Sequence, residues 1–309
     1  MSLDLRAASA DYLAGRRARG YKLASHDCLI ASFLDFLHAR AAPTITVVDA
    51  LGFAQAGSGA QRWRAAKLHA IRAFAAHVHT LDPAAAQLIP TGLIPARATR
   101  RIPYLYTQGQ IAELMVRCTT LSPPLLAAGM TTLIGLLAAT GLRSGEAVGL
   151  DHAHLSVDPP VLSVTGKYSR RRLVPLHEST VAALLAYEEV RATLTEKPSA
   201  GPLLVGARGD RLNATTARRI FRQVANDCNL PATPGSSPPR LHDFRHTFAV
   251  NSLIDAHRQG VDVDARIAQL ATYLGHVNPL STYWYLSASP ELMALVCDKM
   301  GNYHQGGRP

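Results

Sequence analysis

The longest apolar stretch of the chain runs from Leu125 to Ala139 and stops at Thr140-Gly-Leu-Arg143. Thr131 and Thr132 interrupt it, and it falls short of the roughly 20 residues needed to cross a bilayer. It therefore reads as a helix buried in a protein core, which must be packed by other elements on all sides. Its end is the more constraining part. Arg143 leaves that core directly behind a glycine, and an always-charged guanidinium there needs an anionic partner. Glu146, three residues on, can supply one as a structural pair. A bound anion is the functional alternative.

The remaining composition suits a folded chain of two domains. There are 309 residues, 48% of them hydrophobic and only 17% charged, which excludes a disordered chain. The four cysteines, Cys28, Cys118, Cys228 and Cys297, lie too far apart in sequence for a CxxC metal pair or a dense disulfide framework. No basic segment followed by an apolar one opens the chain, so a cytoplasmic protein is expected, with no membrane partner.

The charge is unevenly spread. Residues 1–103 hold thirteen Lys and Arg against six Asp and no Glu, which is +7 of the formal +10. The clusters are Arg16, Arg17, Arg19 and Lys22, then Arg62, Arg64, Lys67 and Arg72, then Arg97, Arg100 and Arg101. A module facing a polyanion is the functional reading, because neutralising phosphates releases counterions. The bland alternative is a solvated helix face. Apolar residues at helical spacing, Leu29 to Leu37 and Leu68 to Val78, predict a small helical bundle. Pro90-Thr-Gly to Pro103 reads as a linker whose arginines, Arg100 and Arg101 among them, suit a strap over a phosphate backbone.

From Tyr104 onward the pattern is mixed, a mainly α chain with a small β-sheet (α+β). Helices are expected over Thr107–Cys118 and Leu125–Thr140, then from Ser179, from Asn213 as N-cap, from about His242, over Asp264–Leu274, and from Pro290. The β-branched runs at Val161 and Arg172, joined by a turn starting at Gly166, predict a hairpin. Gly206-Ala-Arg-Gly209 reads as a turn.

Five local signals fall in this second part. They are Thr140-Gly-Leu-Arg143-Ser-Gly-Glu146, Lys167 at the hairpin tip, and Leu241-His242-Asp-Phe-Arg245-His246. Leu-Gly-His276 and the tyrosines Tyr283 and Tyr285 complete them. Singly each has an ordinary structural explanation. His242 and His246 share a helix face, but no H-E-x-x-H pattern supports a metal site. Together the residue types suit phosphoryl transfer without metal or other cofactor. Two arginines can clamp a phosphodiester and stabilise its transition state, and a lysine can protonate the leaving oxygen. A histidine can take the proton from a tyrosine nucleophile, conserving the phosphodiester bond energy in a phosphotyrosyl ester.

This order of Arg, Lys, His-x-x-Arg, Leu-Gly-His and Tyr resembles the tyrosine recombinase (phage integrase) family. The resemblance implies a helical, SAM-like core-binding domain over 1–90, a linker over 91–103 and a catalytic domain over 104–309. It implies Arg143 and Arg245 as the phosphate clamp, Lys167 as general acid and His242 as general base. His276 becomes a phosphate hydrogen-bond donor, and Tyr285, nine residues later, the nucleophile ahead of Tyr283 and Tyr273. DNA contacts are expected at Arg62, Arg64, Lys67, Arg100, Arg101, Arg170 and Arg171, with Arg172 adding to the same charge. The implied partner is double-stranded DNA held in a C-shaped clamp by four protomers, alone or with a partner recombinase, in a nucleoid-associated protein. Integration, excision or transposition of a mobile element is the expected activity.

Two features depart from the family pattern. The stretch from Arg245 to His276 is long enough for an insertion, and the arginines after Lys167 crowd the hairpin. Two other readings are a type IB topoisomerase, against which His242 argues, and a non-catalytic DNA-binding regulator, against which the full residue set argues.

Overall fold

The computed structural model describes residues 3–21, 23, 26–95, 102–166, 170–196, 200–230 and 238–275. The chain divides into two compact units, Met1–Arg100 and Arg101–Pro309.

The elements of the first unit are helices, with one isolated bridge between Ile45 and Ala86. It contains α1 (Leu5–Ala18), α2 (His26–Ala39), α3 (Val47–Gln55) and α4 (Gln61–Leu81). Side-chain caps fix two of the starts: Asp4 accepts from the amides of Arg6 and Ala7, and Thr46 from that of Asp49. Ile30, Phe33 and Leu37 of α2 meet Ile71, Phe74 and Val78 of α4 in one core. Each such side chain contributes about 1.5–3 kcal/mol by leaving water.

One expectation fails here. Lys67 lies on the inward face of α4, four residues before Ile71 and seven before Phe74, and is buried. Its Nζ donates to the carbonyls of Phe53 and Ala56, both at 2.9 Å, and sits 5.0 Å from the centre of the Phe53 ring. These are the orphan carbonyls at the C-terminal end of α3, and the lysine caps them. Burial, then the charge of Arg64, lowers its pKa. It is a structural cation and not a phosphate contact. Arg62 is exposed and Arg64 half-buried.

The second unit contains α5 (Gln108–Thr119), α6 (Pro124–Thr140), α7 (Ser144–Val148), β1 (Leu155–Ser156), β2 (Val161–Thr165) and β3 (Arg171–Pro175). It continues with α8 (Glu178–Leu194), α9 (Ala214–Asp227), α10 (Asp243–Arg258) and α11 (Val263–Leu274). Thr107 and Gln110 form a reciprocal capping box at the start of α5, and Asn213 caps α9 as its position predicts. The apolar stretch is α6, whose Met130, Leu133, Ile134, Leu136 and Leu137 are buried in the main core. No helix among the described residues is long and apolar enough to cross a membrane.

The sheet is antiparallel in the order β1-β2-β3. The predicted hairpin is its β2–β3 pair. Strand β1 gave no sequence signal, because two residues carry no period. Gly206–Gly209 is a turn, with the Gly206 amide donating to Asp210 O at 2.8 Å. After Arg245 the chain runs through the rest of α10 and then α11, with no further element inserted between them.

Removing the Lys67 cap should cost stability. Lys67→Ala strips the donor from two helix-end carbonyls, and urea unfolding should show a loss of about 1–3 kcal/mol. Arg62→Ala, at an exposed position, should stay within about 0.5 kcal/mol of wild type. Equal midpoints for Lys67→Ala and wild type would remove the capping role.

Candidate active site

Helix α6 ends where its sequence changes character. Gly141 takes a left-handed backbone, φ 60°, and its amide donates to Leu137 O at 2.9 Å. Any Cβ there would lie 2.6 Å from Cδ1 of Phe248, so both backbone and space require glycine. The turn delivers Arg143 to the N-cap position of α7.

Glu146 organises this turn. Its Oε2 accepts from the Arg143 amide at 3.0 Å, and its Oε1 from Arg143 Nη1 at 2.7 Å. The same carboxylate accepts a two-pronged contact from Arg172, Nη1 to Oε1 at 3.1 Å and Nη2 to Oε2 at 2.8 Å. Burial alone would raise the Glu146 carboxyl. Hydrogen bonds from Arg172 and from the Arg143 amide, with the charge of Arg172, outweigh it and hold the group down at about 2. Arg143 keeps 29% of its side chain exposed, whereas Glu146 keeps 7%.

Arg245, on α10, is buried to 1%. Its Nη1 donates to Gly141 O at 3.1 Å and its Nη2 to Leu274 O at 2.6 Å. Those carbonyls belong to the C-terminal ends of α6 and α11. Helix α11 also stops on a left-handed glycine, Gly275, φ 67°. The guanidinium thus sits at the negative poles of two helices.

His242 immediately precedes α10 and keeps an exposed edge. Its ring lies edge-on to that of His246, with centres 5.0 Å apart. Desolvation, then the charges of Arg245, Arg240 and Arg143, push the imidazole pKa down to about 4. The three arginines therefore reach the ring electrostatically from two separate segments, and the ring is neutral at pH 7. Among the described residues no three His, Cys, Asp or Glu side chains gather as metal ligands.

The start of α10 is itself fixed. Asp243, fully buried, accepts from Arg240 through its amide (2.9 Å), Nε (3.2 Å) and Nη2 (2.9 Å). Tyr106 stacks on Phe244 with ring centres 4.3 Å apart and donates its hydroxyl to Arg240 O at 3.0 Å.

The described residues therefore bring Arg143, His242 and Arg245 together. Lys167, His276 and Tyr285 lie outside the described residues, as do Arg100, Arg101 and the helix expected from Pro290. Arg170 and Arg171 are exposed, as their expected DNA contacts require. Arg172 is not outward-facing. On β3 it alternates with Leu173 and shares the inward side with buried Val174, opposite Val164. Strand alternation was the signal that separates it from Arg171. Arg240 was also missed, although Asp243 three residues later is a visible partner. Tyr273 packs flat on Phe248, ring centres 5.5 Å apart, and burial pushes its phenol up to about 12.

Comparison with known proteins supplies the family. Residues 105–291 match the model of the phage integrase family, more than half of the chain. A Sinorhizobium fredii protein named integrase/recombinase y4rB is 37% identical over 297 residues, 93% of this chain and 94% of that protein. The tyrosine recombinase XerC of Corynebacterium glutamicum is 31% identical over 197 residues, 64% of this chain and 58% of its own length. In fold, the Tn1549 transposon integrase solved with transposon right end DNA matches with a TM-score of 0.62 at 16% identity. That match covers 97% of this chain and 99% of the other. A lambda integrase dimer bound to a COC′ core site matches at 0.59 and 17% identity, covering 92% and 77%.

The Glu146 carboxyl links stability to pH. Its folded pKa, about 2, lies below the ordinary 4.5. The stabilisation, about 3 kcal/mol, is present above pH 5 and is lost as pH falls toward 2. In Glu146→Gln, urea unfolding from pH 3 to 7 should lose this part of the acid dependence. Parallel curves for variant and wild type would show that the carboxylate is not held by the two arginines. The joint findings of sequence and fold place the chain in the phage integrase family, the tyrosine recombinases, enzymes that cleave and rejoin DNA.

Proposed function

We propose that this chain is a site-specific recombinase that cuts and reseals duplex DNA through a 3′-phosphotyrosyl intermediate on Tyr285. The observation that carries this reading is the convergence of Arg143, Arg245 and a neutral His242 from segments about a hundred residues apart. Four guanidinium groups, Arg143, Arg172, Arg240 and Arg245, gather against two carboxylates, Glu146 and Asp243, and this cationic excess forms a place for an anion.

In the proposed reaction the guanidinium groups of Arg143 and Arg245 hold the non-bridging oxygens of the scissile phosphate. The carbonyls of Gly141 and Leu274 set the orientation of the Arg245 fork. The Tyr285 oxygen attacks phosphorus, and its proton passes to His242, which is neutral at working pH and so able to accept it. The bond from phosphorus to the 5′ oxygen breaks, and Lys167 supplies the proton to that oxygen. His276 donates a hydrogen bond to the phosphate. The products are a 3′-phosphotyrosyl ester and a free 5′-hydroxyl. Attack by an incoming 5′-hydroxyl reverses the same steps, so the reaction needs neither nucleotide triphosphate nor metal.

The basic first unit, with exposed Arg62, provides sequence-independent grip on the backbone. Arg170 and Arg171 on the hairpin do the same beside the scissile phosphate. Full-length likeness to a protein named integrase/recombinase favours integration or excision as the activity.

A nicked suicide duplex carrying the cognate site tests this. Wild type should leave a covalent protein–DNA adduct on a denaturing gel, in EDTA as well as without it, and Tyr285→Phe should leave none. An adduct that survives Tyr285→Phe and vanishes with Tyr283→Phe moves the nucleophile. Absence of any adduct on a site the protein binds favours the DNA-binding regulator. Loss of the adduct in EDTA would overturn the metal-free mechanism.

A further inference from the structure

Arg172 was first grouped with the surface charge of the hairpin, yet only 13% of its side chain is exposed. Every donor group of its guanidinium has a contact inside the protein. Nη1 and Nη2 hold the two oxygens of Glu146, and Nε donates to Tyr273 O at 2.9 Å. The head group also lies in a slot floored by two glycines. A Cβ on Gly275 would stand 3.2 Å from Cδ and Nη1 of Arg172, and one on Gly166 would stand 3.5 Å from Nη1. Gly166 immediately precedes Lys167, and Gly275 immediately precedes His276. Glu146, the third contact, holds both the amide and the guanidinium of Arg143.

One side chain thus holds Glu146 and Tyr273 O and lies beside Gly166 and Gly275, on three segments distant in sequence. Besides stabilising the Glu146 carboxylate, this contact supplies geometry. The planar fork fixes Glu146 at two points, and the Nε bond fixes the angle to α11, which a lysine could not do. We infer that Arg172 is a positioning residue that fixes Arg143 through Glu146 and fastens the chain at Gly166 and Gly275, the residues that precede Lys167 and His276 in sequence. This rests on the catalytic reading of those three residues.

The test uses the full chain and five proteins: wild type, Arg172→Lys, Arg172→Met, Glu146→Gln and Arg172→Met with Glu146→Gln. Duplex affinity of Arg172→Met should stay within about threefold of wild type, since the side chain faces inward. Its rate of adduct formation on the suicide duplex should fall by about 100-fold, the scale of a misplacement near 1 Å. Arg172→Lys, which keeps the charge and loses the fork, should recover only part of that rate. The double variant should be no slower than the slower single one, because both substitutions break one chain of contacts. Amide exchange of the free protein provides a readout independent of cleavage. In Arg172→Met, residues 161–166 and 270–275 should lose protection together, while α5 and α6 keep theirs.

A cleavage rate within about threefold of wild type for Arg172→Met would overturn the inference. So would full activity in Arg172→Lys, which would make charge alone sufficient, or a loss of affinity matching the loss of rate. Exchange that rises in β2 and β3 only would overturn the link to α11. If wild type forms no adduct while the two segments still loosen together, the proposed function fails and the fastening by Arg172 stands.

Discussion

The second unit turns on the guanidinium of Arg245. Helices α6 and α11 end side by side, each on a left-handed glycine, with the negative ends of both pointing at the same buried volume. Without a cation between them, the carbonyls of Gly141 and Leu274 would be left without these donors in a buried site, at a cost typical of orphaned polar groups. Arg245 resolves this from α10 by donating to both. Arg143 follows Gly141 by two residues, and Arg172 reaches the carbonyl of Tyr273. The site is thus assembled around the junction of two helix ends, and its cations are where those ends need them.

Much of this fold can be read before any coordinate is known, for physical reasons that differ between elements. Helix α6 is legible because its composition leaves no option but burial, and Gly141 marks its end. Helices α5 and α9 are legible through Thr107 and Asn213, whose side chains satisfy amides that a helix cannot. Strand β1 is not legible, since two residues joined to β2 by pairing alone have no pattern of their own. Helix α3 is likewise hidden inside the bundle as a whole; its nine residues acquire their ends from Thr46 and from Lys67, which lies far along the chain.

The site was legible by type and less so by direction. The i, i+3 spacing puts His242 and Arg245 on one helix face and a helix end marks Arg143, but only the order of the whole set joined them as one candidate site. Lys67 and Arg172 were misread for the same reason: a charge was assumed to face water. Lys67 occupies a position in register with Ile71 and Phe74, and Arg172 one in register with Val174. In both cases periodicity held and the charge followed it inward, because carbonyls or a carboxylate waited there. Chemical identity alone does not separate a cation that binds a partner from one that binds its own backbone. The periodicity of the element does.

The charges that remain explain why His242 suits its proposed role. Arg143, Arg172, Arg240 and Arg245 stand against two carboxylates, Glu146 and Asp243, so the cluster carries a cationic excess. A second proton on His242 would add to that excess, which, after desolvation, is what holds the imidazole to about 4. An anion placed between Arg143 and Arg245 would offset the same field. By linkage, whatever makes phosphate binding favourable to a protonated histidine makes the histidine more basic once phosphate is bound. The imidazole would thus be kept empty of its proton until DNA arrives, and would gain basicity as the phosphate docks, when a phenol proton must be taken. The arginines would clamp the phosphate and time the base with a single distribution of charge. Glu146 and Asp243 set the size of that excess: Glu146 lets two guanidinium groups share one carboxylate, and Asp243 holds a third.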